Sequence, residues 1–345
     1  MIARSAALAC LLALSGCEMA AYYLQAMHGH LDLVGRAQPV ERLLADPATP
    51  GELRSGLELA SRMRDFASRE LKLPDNASFR GYADLGRPYA VWNVVAAPEF
   101  DLKPVLSCFP IAGCVTYRGF YAREDALRHA ARLREAGHDV FAYGVAAYST
   151  LGWFDDPLLS TFIGYPEAEL ARLVFHELAH QVVYVRGDTT FNESFAMAVE
   201  REGVKRWLRA AGRDAELGVL ALREQRTQDF HGLLARARQR LEAVYGAAAA
   251  PEAMRPRKAE AFKALREEYE ALKRERWAGF AGYDRFFTES GPNNAMLAAF
   301  ATYSQLVEGF ERVLAAEGGD LERFYARVKA LAALERDARE RALGR

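Results

Sequence analysis

The pattern of apolar and polar positions divides the chain into a helical beginning, a strand-rich middle and a long helical end. Apolar residues spaced three and four apart predict helices from residue 22 to about residue 72, the second of them starting at Gly51 after Pro50. Alternating and β-branched runs then predict strands at 89–96, 105–106, 115–121 and 140–151, with one helix at 122–137. The middle region is therefore expected to be a small sheet with helices on one side.

Helical periodicity returns after this region and continues to the end of the chain. The helices expected there span residues 167–186, 191–211, 291–314 and 320–343. Between them, two apolar stripes within 215–277, separated by Pro251 and Pro256, predict a long antiparallel helical hairpin. The expected fold class is α+β and mostly helical.

The first sixteen residues have the features of an export signal. Arg4 precedes an apolar run, 6–14, that is too short to span a bilayer. The run ends in Leu-Ser-Gly-Cys17, which resembles a bacterial lipobox, with ordinary secretory cleavage as the alternative. Because Glu18 follows the cysteine, the resemblance implies a lipoprotein of the outer membrane facing the periplasm. The lipid on Cys17 would be its only membrane attachment.

Composition adds two constraints. The chain has 45 basic and 46 acidic residues, a formal net charge of −1, and this balance does not indicate a nucleic-acid surface. Of its four cysteines, Cys10 and Cys17 belong to the signal and the lipidation site. Cys108 and Cys114 remain, and a disulfide between them is expected in an oxidising compartment, with two free thiols as the alternative.

The helix expected at 167–186 carries His176-Glu177-Leu-Ala-His180, an H-E-x-x-H motif. On a helix, His176 and His180 lie one turn apart and project from the same side, so both imidazoles can bind one ion. Glu177 lies at the edge of that side, where a carboxylate can hold a metal-bound water. A catalytic zinc has three protein ligands and one open position, so a third ligand is required.

Glu193 is the candidate for this third ligand. It follows His180 by thirteen residues and begins the next predicted helix, so two antiparallel helices joined by a turn would bring its carboxylate to the imidazoles. His231 would have to come from a distant helix and ranks lower. A first-turn carboxylate that interacts with the helix dipole is the alternative role for Glu193. The predicted site is a His₂Glu centre for one Zn²⁺ per chain.

The segments 176–181 (HELAHQ) and 191–196 (FNESFA) resemble the zinc core of the gluzincin metallopeptidases, H-E-L-A-H-Q followed by N-E-G-F-A. Glu200, two helical turns after Glu193, matches an acidic position of the aminopeptidase branch and would orient a histidine ligand. The spacing between the motifs is shorter than in the large aminopeptidases, and no upstream G-x-M-E-N motif is present.

Nearly all of the mature chain resembles a family of bacterial lipoproteins described as predicted aminopeptidases. The resembling segments are YYLQAMHGH, CFPIAGCVTYRGF, YSTLGWF, the zinc core and PNNA. The resemblance implies a gluzincin-like core with a small sheet upstream of the H-E-x-x-H helix. The expected division is a signal peptide (1–16), a helical segment (17–80), a zincin-like catalytic core (81–212) and a helical C-terminal region (213–345).

The resemblance also implies a mechanism. Glu177 would act as the general base toward a water on the metal. The oxyanion of the tetrahedral intermediate needs a further donor, for which Tyr303 is the first candidate and Tyr283 the second, with a packed core tyrosine as the alternative for Tyr303. An edge strand that pairs with the substrate backbone is expected at 148–154.

The sequence indicates the roles of three further residues less specifically. Asn293 and Asn294 either line the substrate pocket or cap the helix that follows them. An aminopeptidase holds the α-ammonium of its substrate with carboxylates, and Glu289 is a guess for that role.

The sequence thus predicts an exported zinc aminopeptidase that acts on peptides and binds no nucleic acid. Two alternatives remain: a zinc endopeptidase of the cell envelope, and a non-catalytic envelope lipoprotein that keeps a structural metal. The presence of Glu177 argues against the second, because a structural zinc needs no general base. The helical hairpin leaves a protein partner open.

Overall fold

The computed structural model describes residues 22–109, 113–147, 149–247, 249–288, 291–301 and 306–344, which form the mostly helical α+β fold that the sequence predicts. The elements in chain order are α1 (22–35), β1 (Gln38–Pro39), α2 (Val40–Ala45), α3 (Gly51–Arg69), β2 (Gly81–Ala83), β3 (Val91–Pro98), β4 (Ser107–Phe109), β5 (Gly113–Val115), β6 (Arg118–Phe120), α4 (Arg123–Glu135), β7 (His138–Val145), β8 (Leu158–Leu159), α5 (Glu167–Ala179), α6 (Thr189–Ala210), a 3₁₀ turn (Asp214–Glu216), α7 (Leu217–Gly246), α8 (Pro251–Glu275), α9 (Arg285–Thr288), α10 (Asn294–Ala301), α11 (Val307–Ala316), α12 (Leu321–Ala332) and α13 (Arg336–Ala342).

The main sheet has three antiparallel strands in the order β6-β3-β7. Its central strand β3, VWNVVAAP, consists largely of β-branched and small apolar residues, which suit a strand covered on both faces. Because side chains alternate, Val94 packs with residues of α4, whereas Val95 packs with residues of α10. Helices therefore cover both faces, and the predicted arrangement with helices on one side is wrong.

Helix α1 lies along the outer edge of β6. The Gln25 side chain donates from Nε2 to the Gly119 carbonyl at 3.4 Å and accepts from the Tyr121 amide at 3.3 Å. Gly29 lets the helix approach closely, since a Cβ there would lie 2.2 Å from the Tyr121 ring. Arg118 stacks over the Tyr22 ring at 4.1 Å. The N-terminal helix is thus fixed to the strand edge by side chains.

Helices α5 and α6 pack closely at the centre of the largest apolar core. Phe175 and Leu178 of α5 and Phe191 and Phe195 of α6 are completely buried in it. Gly203 of α6 permits the close approach, because a Cβ at that position would lie 2.7 Å from the Phe175 ring. This core takes residues from α1 through to the end of the described chain, so the N-terminal and C-terminal helices both support α5 and α6.

Two smaller β elements accompany the main sheet, and one of them, formed by β1, β2 and β8, contributes to this core. Strands β1, β2 and β8 form a three-stranded sheet in which β2 pairs antiparallel with β1 and parallel with β8. Strands β4 and β5 form a hairpin, and within it the structure joins Cys108 to Cys114 by a disulfide.

Helices α7 and α8 form the long antiparallel hairpin that the two apolar stripes predict. Phe230, Leu234 and Leu241 of α7 meet Leu265 and Tyr269 of α8 in a second core. Neither proline of this region breaks α8, because one begins the helix and the other is accommodated within it. Among the described residues, no helix is long and apolar enough to cross a membrane.

The helix that carries the H-E-x-x-H motif is shorter than predicted, since α5 ends at Ala179 rather than near Arg186. The Asn192 carboxamide donates to the Val185 carbonyl and accepts from the Val185 amide, both at 2.8 Å. The Gln181 side chain accepts a hydrogen bond from Asn76 Nδ2 at 2.7 Å and donates one to Ser78 Oγ at 3.1 Å. These side chains fix residues 181–185 as a turn, which hydrophobic periodicity does not reveal.

Two other predicted elements differ. The expected edge strand at 148–154 is wrong for its described part, because residues 149–154 form turns in which Leu151 has a φ of 59°. The helix predicted at 320–343 is two helices, α12 and α13, separated at 333–335. This break lets Arg339 of α13 reach the buried Asp188 carboxylate at 2.6 Å. The region predicted as one helix at 291–314 holds α10 and α11, and residues 302–305 between them lie outside the described residues.

Candidate metal centre

Helix α5 and its C-terminal end place the two histidines of the motif side by side. His176 lies in the last turn of α5, and His180 is the residue that ends the helix. Their Nε2 atoms are 3.2 Å apart, and their rings are nearly perpendicular. His180 is only 8% exposed, so its ring is held by the surrounding core. Two imidazole nitrogens therefore converge on one point, as the helical spacing predicts.

Helix α6 adds the carboxylate. Glu193 lies near the start of α6, where its Oε2 is 3.3 Å from His176 Nε2 and its Oε1 is 3.7 Å from His180 Nε2. One nitrogen or oxygen atom from each of the three residues lies within 4.8 Å of the others. The start of α6 is fixed by Asp188, which accepts a hydrogen bond from the Phe191 amide at 3.1 Å. The structure thus brings together the three ligands predicted from sequence.

Glu200 contacts the Nδ1 atom of the His176 ring. Its Oε2 lies 2.9 Å from His176 Nδ1, and its other oxygen accepts from Arg172 Nε at 3.0 Å. Glu200 is 3% exposed, and Arg172 lies one helical turn before His176 on α5. A carboxylate on Nδ1 keeps a proton on that atom, which leaves Nε2, the atom directed at His180 and Glu193, as the one that could bind a metal.

The three converging groups fit a metal ion. Two imidazole nitrogens and one carboxylate form the donor set of His₂Glu zinc sites. The two Nε2 atoms cannot both donate to one another, and a cation between these lone pairs would satisfy all three groups. In the described part of the chain, this is also the group of His, Cys, Asp and Glu residues whose geometry could hold a metal.

The protonation states suit metal binding. Burial lowers the pKa of His180 to about 4, so its imidazole is neutral at physiological pH. Burial alone would raise the pKa of Glu193 and of Glu200, but the two neighbouring histidines lower the pKa of Glu193, and Arg172 with His176 lowers that of Glu200. Burial would lower the pKa of His176, but hydrogen bonds to the two glutamates outweigh burial and raise it, so a metal ion at this site would displace a proton from the His176 ring. Both carboxylates are therefore ionised.

Glu177 has a different environment. Burial raises its pKa to about 7, and the charges of Glu193, Asp156 and Glu200 add to this effect while His176 opposes it. A carboxyl group with a pKa near the working pH can accept and return a proton, which is the property of a general base. The residue beside the first ligand is thus suited to proton transfer.

A cavity of about 780 Å³ opens in front of these groups. We call it the central cavity. Its polar end consists of His176, Glu177, His180 and Glu193, and the rest of its wall is mainly apolar or aromatic. The remaining lining residues come from α1, β3, β5, β6, the segment after β7, α5 and the turn after α5: Tyr22, Tyr23, Ala26, Val91, Asn93, Val115, Tyr117, Gly119, Tyr121, Val145, Ala146, Ala147, Ser149, Leu151, Leu173 and Tyr184. This volume is in the range of small-molecule and peptide sites.

Comparison with known proteins agrees with this geometry. The family model described as "Putative aminopeptidase" matches residues 21–343. The chain belongs to this family. No curated protein and no solved structure gives a significant match. The family description suggests a hydrolase that acts on peptides, and the histidine-glutamate cluster of this family member could hold a metal ion.

Tyr117 and Tyr184 of this family member were not anticipated from the sequence. Both line the central cavity. Burial raises the pKa of Tyr117, and the negative charges of Glu193 and Glu177 contribute to the shift. Burial and the charge of Glu193 raise the pKa of Tyr184 as well. Both tyrosines therefore remain protonated hydroxyl donors near the metal centre, and no sequence spacing could have distinguished them from the other tyrosines.

Several predicted residues cannot be placed. Tyr303, the first candidate for the oxyanion donor, Glu289, the guess for the α-ammonium, and Cys17 all lie outside the described residues. Tyr283 is described, and it stacks on Phe230 in the helical hairpin at 4.0 Å and does not line the central cavity. The suggestion that Tyr283 serves as an oxyanion donor is therefore wrong.

The structure also places the residues that the sequence offered as weaker site candidates. His231 lies on α7 and is not part of the metal cluster. Asn293 accepts a hydrogen bond from the Met296 amide at 3.0 Å, as a helix-capping residue does. Asn294 donates to the Pro98 and Glu99 carbonyls, which connects α10 to the end of β3. Neither asparagine lines the central cavity.

Proposed function

We propose that this protein is a zinc-dependent aminopeptidase with His176, His180 and Glu193 as the metal ligands and Glu177 as the general base. The observation that carries the proposal is the convergence of these three ligand atoms beside the partly buried carboxyl group of Glu177 in an open cavity. Membership of the family described as putative aminopeptidases supports the peptidase assignment.

Zinc at this site would polarise the scissile carbonyl and lower the pKa of a water toward neutrality. Glu177 takes the proton from the attacking water as the oxygen adds to the carbonyl carbon. When the carbon–nitrogen bond breaks, Glu177 returns that proton to the leaving amine. Glu200 and Arg172 keep His176 in one tautomer throughout. Tyr303 stays the sequence-based candidate for the oxyanion donor.

An endopeptidase is the second candidate, and one observation favours it. Among the residues that the structure describes, the carboxylates of the cavity wall are Glu177 and Glu193, and both already have roles in catalysis or metal binding. An aminopeptidase needs an additional negative group for the substrate's α-ammonium. Whether the free amine is required thus separates the two candidates.

The test uses a soluble form that begins after Cys17. Bound metal is measured by mass spectrometry, and hydrolysis is compared between free and N-acetylated aminoacyl substrates. We expect about one zinc per chain and cleavage of free-amine substrates only. Glu177→Gln should retain zinc and lose at least 100-fold in kcat, because general-base catalysis contributes ~10²–10⁴-fold.

Three outcomes would change the proposal. Cleavage of blocked peptides with similar efficiency would assign an endopeptidase. If the native protein binds one zinc per chain but hydrolyses no substrate, and Glu177→Gln behaves in the same way, only the non-catalytic envelope lipoprotein remains. Absence of bound zinc from protein purified without chelator would refute the metal site itself.

We also propose that the protein is exported and carries lipid on Cys17 at the periplasmic face of the outer membrane. The signal-like residues 1–16 support this, and a disulfide between Cys108 and Cys114 suits an oxidising compartment. Cys17→Ser should move the protein from the membrane fraction to the soluble fraction of cells. Membrane retention of the Cys17→Ser protein would contradict lipid anchoring.

A further inference from the structure

Asn93 is an unusual residue for its position. It lies in the middle of β3, the central strand of the main sheet, opposite Gly119 of β6 and Tyr143 of β7. Asparagine is disfavoured in strands, and Asn93 is the one polar residue of β3. A fold that needed only a stable strand would have an apolar residue here.

The Asn93 side chain has no hydrogen-bond partner among the described residues, and its polar atoms stay accessible from the central cavity. The residue is 6% exposed, and what remains accessible faces the central cavity. Other buried asparagines differ: Asn192 bonds both main-chain groups of Val185, and Asn294 has bonds to two carbonyls and to Tyr245. A carboxamide that makes no hydrogen bond within the fold and is accessible at a cavity wall is available to bind a ligand.

The surroundings of Asn93 indicate the chemistry of that ligand. Gly119 leaves the carboxamide uncovered, because a Cβ there would approach Asn93 Oδ1 to 3.4 Å. Val91, Tyr117 and Tyr121 line the cavity from the same face of the sheet. A carboxamide offers a donor group and an acceptor group, the complement of a peptide group, whereas the surrounding wall is mainly apolar and aromatic.

We propose that Asn93 and this apolar wall form a substrate subsite, in which the carboxamide binds a main-chain peptide group and the wall binds a bulky aliphatic or aromatic side chain beside the scissile bond. This inference rests on the proposed function for the location of the scissile bond, at the polar end of the same cavity. It adds the substrate class: peptides with a large apolar residue at the cleavage site.

The first arm of the test measures hydrolysis. Zinc-loaded protein is assayed with a peptide series that differs only in the residue at the cleavage site, namely Ala, Leu, Phe and Lys. We expect Leu and Phe peptides to have the highest kcat/KM. Asn93→Leu removes both hydrogen bonds at nearly constant size and should lower kcat/KM for the Leu peptide ~10–100-fold, chiefly through KM.

The second arm separates a substrate-binding role from a structural one. Asn93→Leu should unfold at the same temperature as the native protein or a higher one, because it removes no hydrogen bond within the described part of the protein. The matched control, Asn294→Leu, removes an asparagine whose hydrogen bonds are all made away from the cavity. It should lower the melting temperature and leave kcat/KM per folded molecule unchanged. Asn93→Ala repeats the assay in case leucine does not fit.

The third arm separates this inference from the proposed function. Peptide affinity is measured by calorimetry in the zinc-loaded Glu177→Gln protein, with and without Asn93→Leu. A Leu peptide that binds more tightly than an Ala peptide, and loses ~10-fold or more with Asn93→Leu, supports the subsite even if no peptide is hydrolysed. Hydrolysis with no preference for apolar residues, or unchanged by both Asn93 variants, would overturn the subsite and leave the peptidase assignment intact. Absence of peptide binding in every form would overturn both.

Discussion

The contact between Glu200 and His176 can be tested by one conservative change. Glu200→Gln keeps a side chain of nearly the same size and one oxygen that can accept from His176 Nδ1. It removes the negative charge that now pairs with Arg172 Nη2 at 2.8 Å and lies 2.9 Å from the His176 ring. Arg172 and His176 contact different oxygens of Glu200, and glutamine replaces one of them with an NH₂ donor, so either Arg172 or His176 loses its hydrogen bond.

The expected effect is a weaker metal site in a protein that still folds. Partners that hold a ligating histidine contribute ~10–100-fold to metal affinity, which corresponds to about 1.4–2.8 kcal/mol. Glu200 is 3% exposed, so solvent does not screen the loss, and we expect the upper half of that range.

The assay is competition for zinc against a chromophoric chelator at constant pH. Glu202→Gln is the matched control, because Glu202 lies on the same helix and pairs with Arg206 at 2.7 Å without contact to the histidines. Its zinc affinity should equal that of the native protein. A Glu200→Gln protein whose zinc dissociation constant stays within twofold of the native value would refute the role of Glu200 in orienting His176.

Three further predictions concern stability. Asp188→Ala leaves the buried Arg339 guanidinium without its 2.6 Å partner and should cost about 3–5 kcal/mol of unfolding free energy in urea titrations. Gly203→Ala inserts a Cβ 2.7 Å from the Phe175 ring and should cost about 1–3 kcal/mol in the same assay. Burial raises the pKa of Asp156 to about 6 from 3.8, so the folded state binds its proton more tightly and stability falls as pH rises from about 4 to 6. Asp156→Asn should abolish this fall and stabilise the protein by about 3 kcal/mol at pH 7, measured as a series of urea titrations across pH.

Each of these has a control in the chain. Asp320→Ala removes an exposed helix cap that accepts from Arg323 N and should cost only about 1 kcal/mol; an equal loss for Asp188→Ala would contradict the buried-pair argument. Gly218→Ala makes the same change on α7 in open space and should be neutral or stabilising, so a similar loss there would point to helix propensity or backbone effects. Asp155→Asn changes an exposed neighbour and should give no gain at pH 7; a gain equal to that of Asp156→Asn would mean that net charge is the cause.

The parts of the fold that follow from local spacing were predictable. The i, i+4 positions of His176 and His180 put both on one side of α5, and the turn before Glu193 brought a third group to them. Strand β3 and the hairpin of α7 and α8 followed from β-branched runs and apolar stripes. In each case, the residues that define the pattern are neighbours in the sequence.

The parts that depend on contacts between distant residues were not predictable. The end of α5 is fixed by Asn192 and by Asn76, a residue that lies 105 positions before its partner Gln181. Tyr117 and Asn93 line the same cavity as the candidate metal centre only because β3 and β6 pair in one register. A single sequence contains no local pattern that states these pairings.

The contact between the Gln25 side chain of α1 and the edge of β6 has a practical consequence. Its carboxamide occupies the Gly119 carbonyl and the Tyr121 amide, the groups with which another strand would pair at this edge of the sheet. Unprotected strand edges promote aggregation between molecules. Residues 22–35 therefore block this strand edge as well as line the cavity. We expect a shortened protein that begins after α1 to self-associate through β6. Soluble forms made for the assays above should retain the whole of this helix.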